Sequence, residues 1–257
     1  MANLKESERL DKVLANEGFG TRKEVKRIIH SGAVVVNGES ILQESAHVNV
    51  YKDEIVVEGK KLETKRNYHF MMNKAAGYVC STKSDSHKIV YDLLSDEDAR
   101  RFVATGSISM VGRLDADTEG LLILTTDGNL NHRLTSPKYN IPKKYQVTLR
   151  DSVDGKTQED YTARVAAGIH IAAEGKAPEA DCRPAAVEWK DKETCFITVT
   201  EGMFHEVKRI FAALGNEVIH LKRVQINGLV LDPSLASGEY RELTEEELSV
   251  LDVQPIV

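Results

Sequence analysis

The chain has 257 residues, 41% apolar and 29% charged, which suits a soluble globular protein large enough for a small domain and a larger one. The formal charge of −6 argues against a nucleic-acid partner only if charge is read globally. Residues 239–252 hold six acids and one base, so taking their −5 from −6 leaves −1 for the rest of the chain, whose bases are clustered. Cys80, Cys182 and Cys195 make no Cys-x-x-Cys pair and the eight histidines no His-x-x-x-His pair. This disfavours a disulfide scaffold, a zinc site and a metal enzyme. No apolar run has the length of a membrane span, and the first residues lack the apolar segment of a signal peptide, so cytoplasm is the expected location.

Leu10, Val13 and Leu14 stand at helical spacing up to Gly18. Thr21 with Glu24 reads as a capping box opening a second helix that ends at Gly32. That helix carries Val25, Ile28 and Ile29 on one face and Arg22, Lys23, Lys26 and Arg27 elsewhere. Residues 33–41 read as two strands around an Asn37-Gly38 turn, and Val48/Val50 and Ile55/Val57 as further short strands. Lys60, Lys61, Lys65 and Arg66 form a basic bridge, taken as a linker over 61–67 between domains at 1–60 and 68–257.

Residues 68–72 predict a buried strand, followed by Asn73-Lys74-Ala75-Ala76-Gly77 as a turn. Residues 83–88 are polar and read as a loop, and Ser95 with Asp98 opens a short helix through Arg101. Gly112-Arg113-Leu114-Asp115-Ala116-Asp117-Thr118-Glu119-Gly120 lies between two apolar runs, 108–111 and 121–124, and predicts a polar loop on a rigid scaffold. Pattern alone leaves this loop equally open to being a solvated hairpin. Further on come a helix at 129–134, a strand from Lys143-Lys144-Tyr145, a helix at 157–167, a loop-like stretch at 169–181 and strands at 186–189 and 195–200. A helix carrying Val207, Ile210, Phe211 and Leu214 follows, then two strands across Asn227-Gly228 and a short helix capped by Thr244. No phosphate-loop or Gly-x-Gly-x-x-Gly signature is present, so no cofactor is expected.

Arg113-Leu114-Asp115, preceded by Gly112 and followed by a leucine-rich strand, resembles the signature loop of the RNA pseudouridine synthases, in particular the RsuA-type branch that modifies ribosomal RNA. Asn73-Lys74-Ala75-Ala76-Gly77 resembles that family's first motif, with Ala75 where proline is usual. Residues 202–209 resemble its third, with Glu206 where glutamine is common. Arg9-Leu10-Asp11-Lys12-Val13-Leu14, Thr21-Arg22 and Val34-Val35-Val36-Asn37-Gly38 resemble the S-four RNA-binding module, also called the alpha-L motif.

The resemblance implies an α+β chain: a small N-terminal RNA-binding domain, then a catalytic domain on a mixed, largely antiparallel sheet flanked by helices. It implies isomerisation of a uridine in ribosomal RNA, with Asp115 as catalytic carboxylate, Tyr145 stacking on the target base and Lys208 as the cation that keeps Asp115 ionised. Arg113 would fill the space left by the extruded nucleotide. Arg9, Arg22, Lys23, Lys26, Arg27, Lys74, Lys144 and Arg209 complete the RNA-facing set. No chemistry falls on Asp117. The reaction exchanges a bond from ribose to ring nitrogen for one to ring carbon, without redox change or donor, consistent with expecting no cofactor or metal. Residues 231–244 resemble the small-subunit (16S) enzymes more than the large-subunit (23S) ones. A non-catalytic ribosome-assembly factor and a carboxylate hydrolase using Asp115 and Asp117 are the rival readings, and a monomer is the expected state.

Overall fold

The computed structural model describes residues 7–50, 52–62, 67–84, 86–99 and 108–251. The N-terminal unit comprises β1 (Ser7–Arg9), α1 (Leu10–Asn16), α2 (Arg22–His30), β2 (Val34–Val36), β3 (Glu39–Ser40), β4 (His47–Asn49), β5 (Ile55–Val57) and β6 (Lys60–Lys61). Thr21 and Glu24 cap α2 reciprocally, the Thr21 hydroxyl accepting from the Glu24 N–H and the Glu24 carboxylate from the Thr21 N–H. Asn37 and Gly38 both take positive φ, at 51° and 86°, the backbone a two-residue turn between β2 and β3 requires. Leu10, Val13, Leu14, Val25, Ile29, Val34 and Ile55 form one buried core, with Leu62 packed against it. Lys61, expected in the linker, instead pairs with Val56 across a turn at Glu58-Gly59. Residues 63–66 of that linker, including Lys65 and Arg66, lie outside the described residues, as does the expected helix end at Arg100-Arg101.

The second unit adds β7 (His69–Lys74), β8 (Tyr78–Val79), β9 (Lys88–Ile89), α3 (Asp96–Asp98), β10 (Ser109–Val111), β11 (Glu119–Thr125), α4 (Gly128–Thr135), β12 (Lys143–Leu149), α5 (Gly155–Ala167), β13 (His170–Ile171), β14 (Ala180–Asp181), β15 (Ala186–Trp189), β16 (Thr194–Val199), α6 (Glu206–Ala213), β17 (Val218–Ile226), β18 (Leu229–Val230), β19 (Tyr240–Glu242) and α7 (Glu245–Ser249). Its main sheet runs β15-β16-β12-β17-β11-β7-β19, with β10 on β11 and β18 on β17. Only β11 and β17 run parallel within it. The rest is antiparallel, as the sequence led us to expect.

Leu121-Leu122-Ile123-Leu124 is fully buried because both faces of β11 are covered. Leu121 and Ile123 pack with Met71 and with Leu130 and Leu134 of α4. Leu122 and Leu124 pack on the opposite face with Phe70, Met72 and Leu114. Toward the other edge, Tyr161 and Val165 of α5 and Val207, Ile210 and Phe211 of α6 cover the strands through Val147 and Ile197. The loop-like stretch at 169–181 contains a small hairpin, β13 with β14, and Lys88 of the polar 83–88 segment, in β9, pairs with Tyr78 of β8. A buried hydrogen bond from Tyr68 Oη to Glu17 Oε2, 2.7 Å, joins the two units. Among the described residues no helix is long and apolar enough to cross a membrane.

Candidate active site

The central loop spans 112–118, where β10 turns back antiparallel onto β11. Two buried cations hold its backbone. Lys74, fully buried on β7, donates from Nζ to the carbonyls of Asp115 (3.0 Å), Ala116 (3.3 Å), Thr118 (2.8 Å) and its neighbour Ala75 (3.1 Å). Burial pulls its pKa down from the usual lysine value. Arg223, also buried, donates from Nε to the carbonyl of Leu121 (2.8 Å) and from Nη2 to that of Gly112 (2.7 Å). The loop's two ends and its middle are thus fixed by side chains from strands on either side of β11. Gly120 allows the close approach: a Cβ there would lie 2.2 Å from the Arg223 carbonyl oxygen, and its φ is +99°.

Asp115 projects from this clamped loop, about one-third exposed. Lys208, on the first turn of α6, places Nζ 3.5 Å from Asp115 Oδ2. The same ammonium donates to both oxygens of Asp117, at 2.7 and 2.9 Å. Those bonds decide the protonation of Asp117: burial pushes its pKa up, but the Lys208 hydrogen bonds and charge outweigh it and hold the carboxyl below its usual range. A cation at a helix N-terminus is unfavourable by itself. The two carboxylates resolve that conflict.

His205 also reaches the site. Its Nε2 lies 3.7 Å from Asp115 Oδ1 and its Nδ1 2.9 Å from Glu174 Oε1. Tyr145 lies on β12, half-buried. Lys74, Gly120, Arg223 and Tyr145 form one row across four neighbouring strands, placing Tyr145 two strand spacings, about 10 Å, from Gly120. The Tyr145 side chain packs against both clusters that adjoin the site, one holding Leu114 and the other Val207.

Two residues expected to face RNA do not. Lys74 is enclosed by the carbonyls it serves. Arg209 is 6% exposed, and its guanidinium is occupied by the carbonyls of Ala172, Phe204 and Pro178. Each sits where a strand or helix turns inward, so its charge serves the backbone and not a phosphate. Arg113 is exposed beside Asp115. Arg22, Lys23 and Arg27 are exposed on α2 and form no ion pair among the described residues. Arg9 instead holds the buried Asp11 bidentately (3.0 and 2.9 Å), Lys26 lies 3.3 Å from Glu44, and Lys144 donates to Glu188 (3.0 and 2.8 Å).

Sequence reasoning missed Arg223, His205 and Glu174. Arg223 carries the one available signal, a cation at the inward-facing position of a strand between Leu221 and Ile226. Cys182, Glu201 and Glu206 bring ligand atoms within 4.8 Å of one another. Burial pushes the Cys182 thiol up to about 11 and the Glu206 carboxyl up to about 7, while Glu201 accepts from the Arg183 N–H.

A clamped loop that presents Asp115 and Asp117 to a single lysine is the arrangement of an enzyme site with a carboxylate at its centre. Residues 68–213 match the family described as RNA pseudouridylate synthase, and residues 8–53 match the S4 domain. The chain belongs to the RNA pseudouridine synthase family. It is 41% identical over 250 residues to an uncharacterized RNA pseudouridine synthase of Bacillus subtilis (strain 168), covering 95% of this chain and 98% of that one. It is 40% identical over 244 residues to the ribosomal small subunit pseudouridine synthase A of Haemophilus influenzae, covering 95% and 99%. The protein of the same name from Escherichia coli (strain K12) is 38% identical over 242 residues, covering 94% and 98%. A pseudouridylate synthase crystal structure superposes with a TM-score of 0.64 at 40% identity, over 95% of this chain and 99% of that one.

Proposed function

We propose that this protein isomerises one uridine of ribosomal RNA to pseudouridine, and that the RNA is the 16S rRNA of the small subunit. The observation that carries the reading is the Asp115–Lys208 pair on a loop whose carbonyls are held by Lys74 and Arg223. Preorganised charge of this kind costs no rearrangement when the reaction occurs. The relatives named as small-subunit enzymes support the choice of RNA.

In this reading the target base leaves its stack, at a cost of roughly a few kcal/mol, and stacks on Tyr145 while Arg113 fills the space it vacates. Asp115 is the ionised carboxylate that drives cleavage of the bond from ribose to ring nitrogen, with Lys208 as its counter-charge. Arg22, Lys23 and Arg27 contact phosphates and position the RNA without reading its sequence. The protein acts as a monomer in the cytoplasm. Release of tritium from carbon-5-labelled uridine in 16S and 23S transcripts and in partly assembled subunits tests this. Release from 16S RNA with the product at one position is expected; release from 23S RNA alone would overturn the choice of RNA, and release from none the reaction.

A further inference from the structure

Phe204 is the one aromatic among the large apolar side chains exposed in the described residues, at 52%. Its ring stacks on His205, with centroids 3.7 Å apart and planes 20° from parallel. That stack stands beside Asp115, because His205 Nε2 is 3.7 Å from the Asp115 carboxylate. Both members are fixed by neighbours. Glu174 takes Nδ1 of His205 at 2.9 Å. The Phe204 carbonyl accepts from Arg209 Nη1 at 3.1 Å, and the same guanidinium ties down Ala172 and Pro178 on either side of Glu174. His205 itself is held at φ +49°, a left-handed backbone that persists where surroundings enforce it and clusters at functional sites.

A large apolar ring kept in water, oriented by a hydrogen-bonded scaffold, is suited to a flat partner that arrives from solution. Unpaired RNA bases are recognised by stacking on aromatic rings, and every base offers such a face. We propose that the Phe204–His205 stack is a second base-binding platform, separate from Tyr145, which takes the nucleobase adjacent to the target uridine and so helps select which uridine reaches Asp115. The proposal rests on the pseudouridine synthase reading of the site. Phe204 makes the contact, and His205, Glu174 and Arg209 are positioning residues for it.

The test uses the full chain carrying Asp115→Asn, with single-stranded RNA nonamers in which one uridine is flanked by the fluorescent base 2-aminopurine. With Phe204 present, 2-aminopurine fluorescence is quenched on binding. Phe204→Ala and Phe204→Leu lose the quenching and weaken binding by roughly five- to a hundred-fold, whereas Phe204→Tyr and Phe204→Trp keep both. Unchanged quenching in Phe204→Ala overturns the platform. Full retention by Phe204→Leu, which conserves bulk without a π face, overturns it as well. These readouts need no turnover, so tritium release by the unsubstituted protein judges the reaction separately. In that assay Phe204→Ala raises KM by a similar factor with kcat little changed.

Discussion

Lys208 is bonded more closely to Asp117 than to Asp115: its ammonium lies 2.7 Å from Asp117 Oδ1 and 3.5 Å from Asp115 Oδ2. Asp117 is 72% exposed, so this bond is screened and weak. Lys208 thus makes its hydrogen bonds to Asp117 and stands as an ion pair beside Asp115. RNA phosphates entering the site would compete with Asp117 in the same way.

The three residues should separate in kinetics. Asp115→Asn leaves RNA affinity within about twofold and removes turnover, because shape is kept and charge is lost. Lys208→Met lowers kcat by on the order of a hundredfold, more than it weakens binding, as expected for loss of one electrostatic group. Asp117→Asn keeps kcat within about tenfold. Single-turnover tritium release alongside filter binding checks all three, and turnover by Asp115→Asn would remove that residue from its role.

Lys74→Met tests the loop clamp. It removes the donor from four carbonyls, of which the Thr118 bond is buried and the other three part-buried, and an unsatisfied buried carbonyl costs about 1–3 kcal/mol. Urea unfolding should show a loss of about 1–3 kcal/mol. Because the Lys74 ammonium is buried among these carbonyls, the salt dependence of RNA binding by the folded fraction should not change. A shallower salt dependence would return Lys74 to the RNA face.

Glu206 predicts an unusual pH profile. Burial, with Glu201 adding to it, raises its carboxyl from 4.5 to about 7 in the folded protein. The native state then binds more protons than the unfolded state between those values, so Glu206 makes stability fall as pH rises from about 4.5 to 7, by on the order of 3 kcal/mol. Lys143 acts at higher pH with the opposite slope: burial first, then Arg223, lowers its ammonium from 10.5 to about 8, and stability rises as pH increases across that window. Glu206→Gln should flatten the acidic limb and be the more stable protein at pH 8 by at least about 1 kcal/mol. Thermal melts from pH 4 to 8 measure this; parallel curves for the two proteins would contradict it.

Helix α2 should govern ionic binding. Replacing Arg22, Lys23 and Arg27 by glutamine should lower the slope of log K against log salt by about 2 to 3, at roughly 0.7–0.9 per phosphate contact. Lys26→Gln should change it less, because Lys26 already faces Glu44 at 3.3 Å. Equilibrium binding to 16S rRNA fragments between low and moderate salt provides the measurement.

Local signals were the readable ones. The Thr21–Glu24 capping box, the Asn37-Gly38 turn and the continuous apolar run at 121–124 were legible because each depends on neighbours in the chain or on one period of alternation. Asp115 and Lys208 were legible as motif residues. Lys74 and Arg209 were legible as cations but not as buried ones, since charge counted along a chain carries no sign of which carbonyls will surround it. The β13–β14 hairpin was missed because two-residue strands leave no periodicity.

By itself the sequence determined most of the elements and several of their caps, which follow from local propensity and the spacing of apolar side chains, while the α+β class and the candidate site residues came from the resemblance of its motifs to a known family. Only the tertiary structure decided that Arg223 and Lys74, 149 residues apart in number, would grip one loop, and that His205 and Glu174 would stand beside Asp115. The Lys74–Arg223 grip depends on the register of β7, β11 and β17. That register is set by packing on both faces of the sheet at once, and no stretch of the chain encodes it alone.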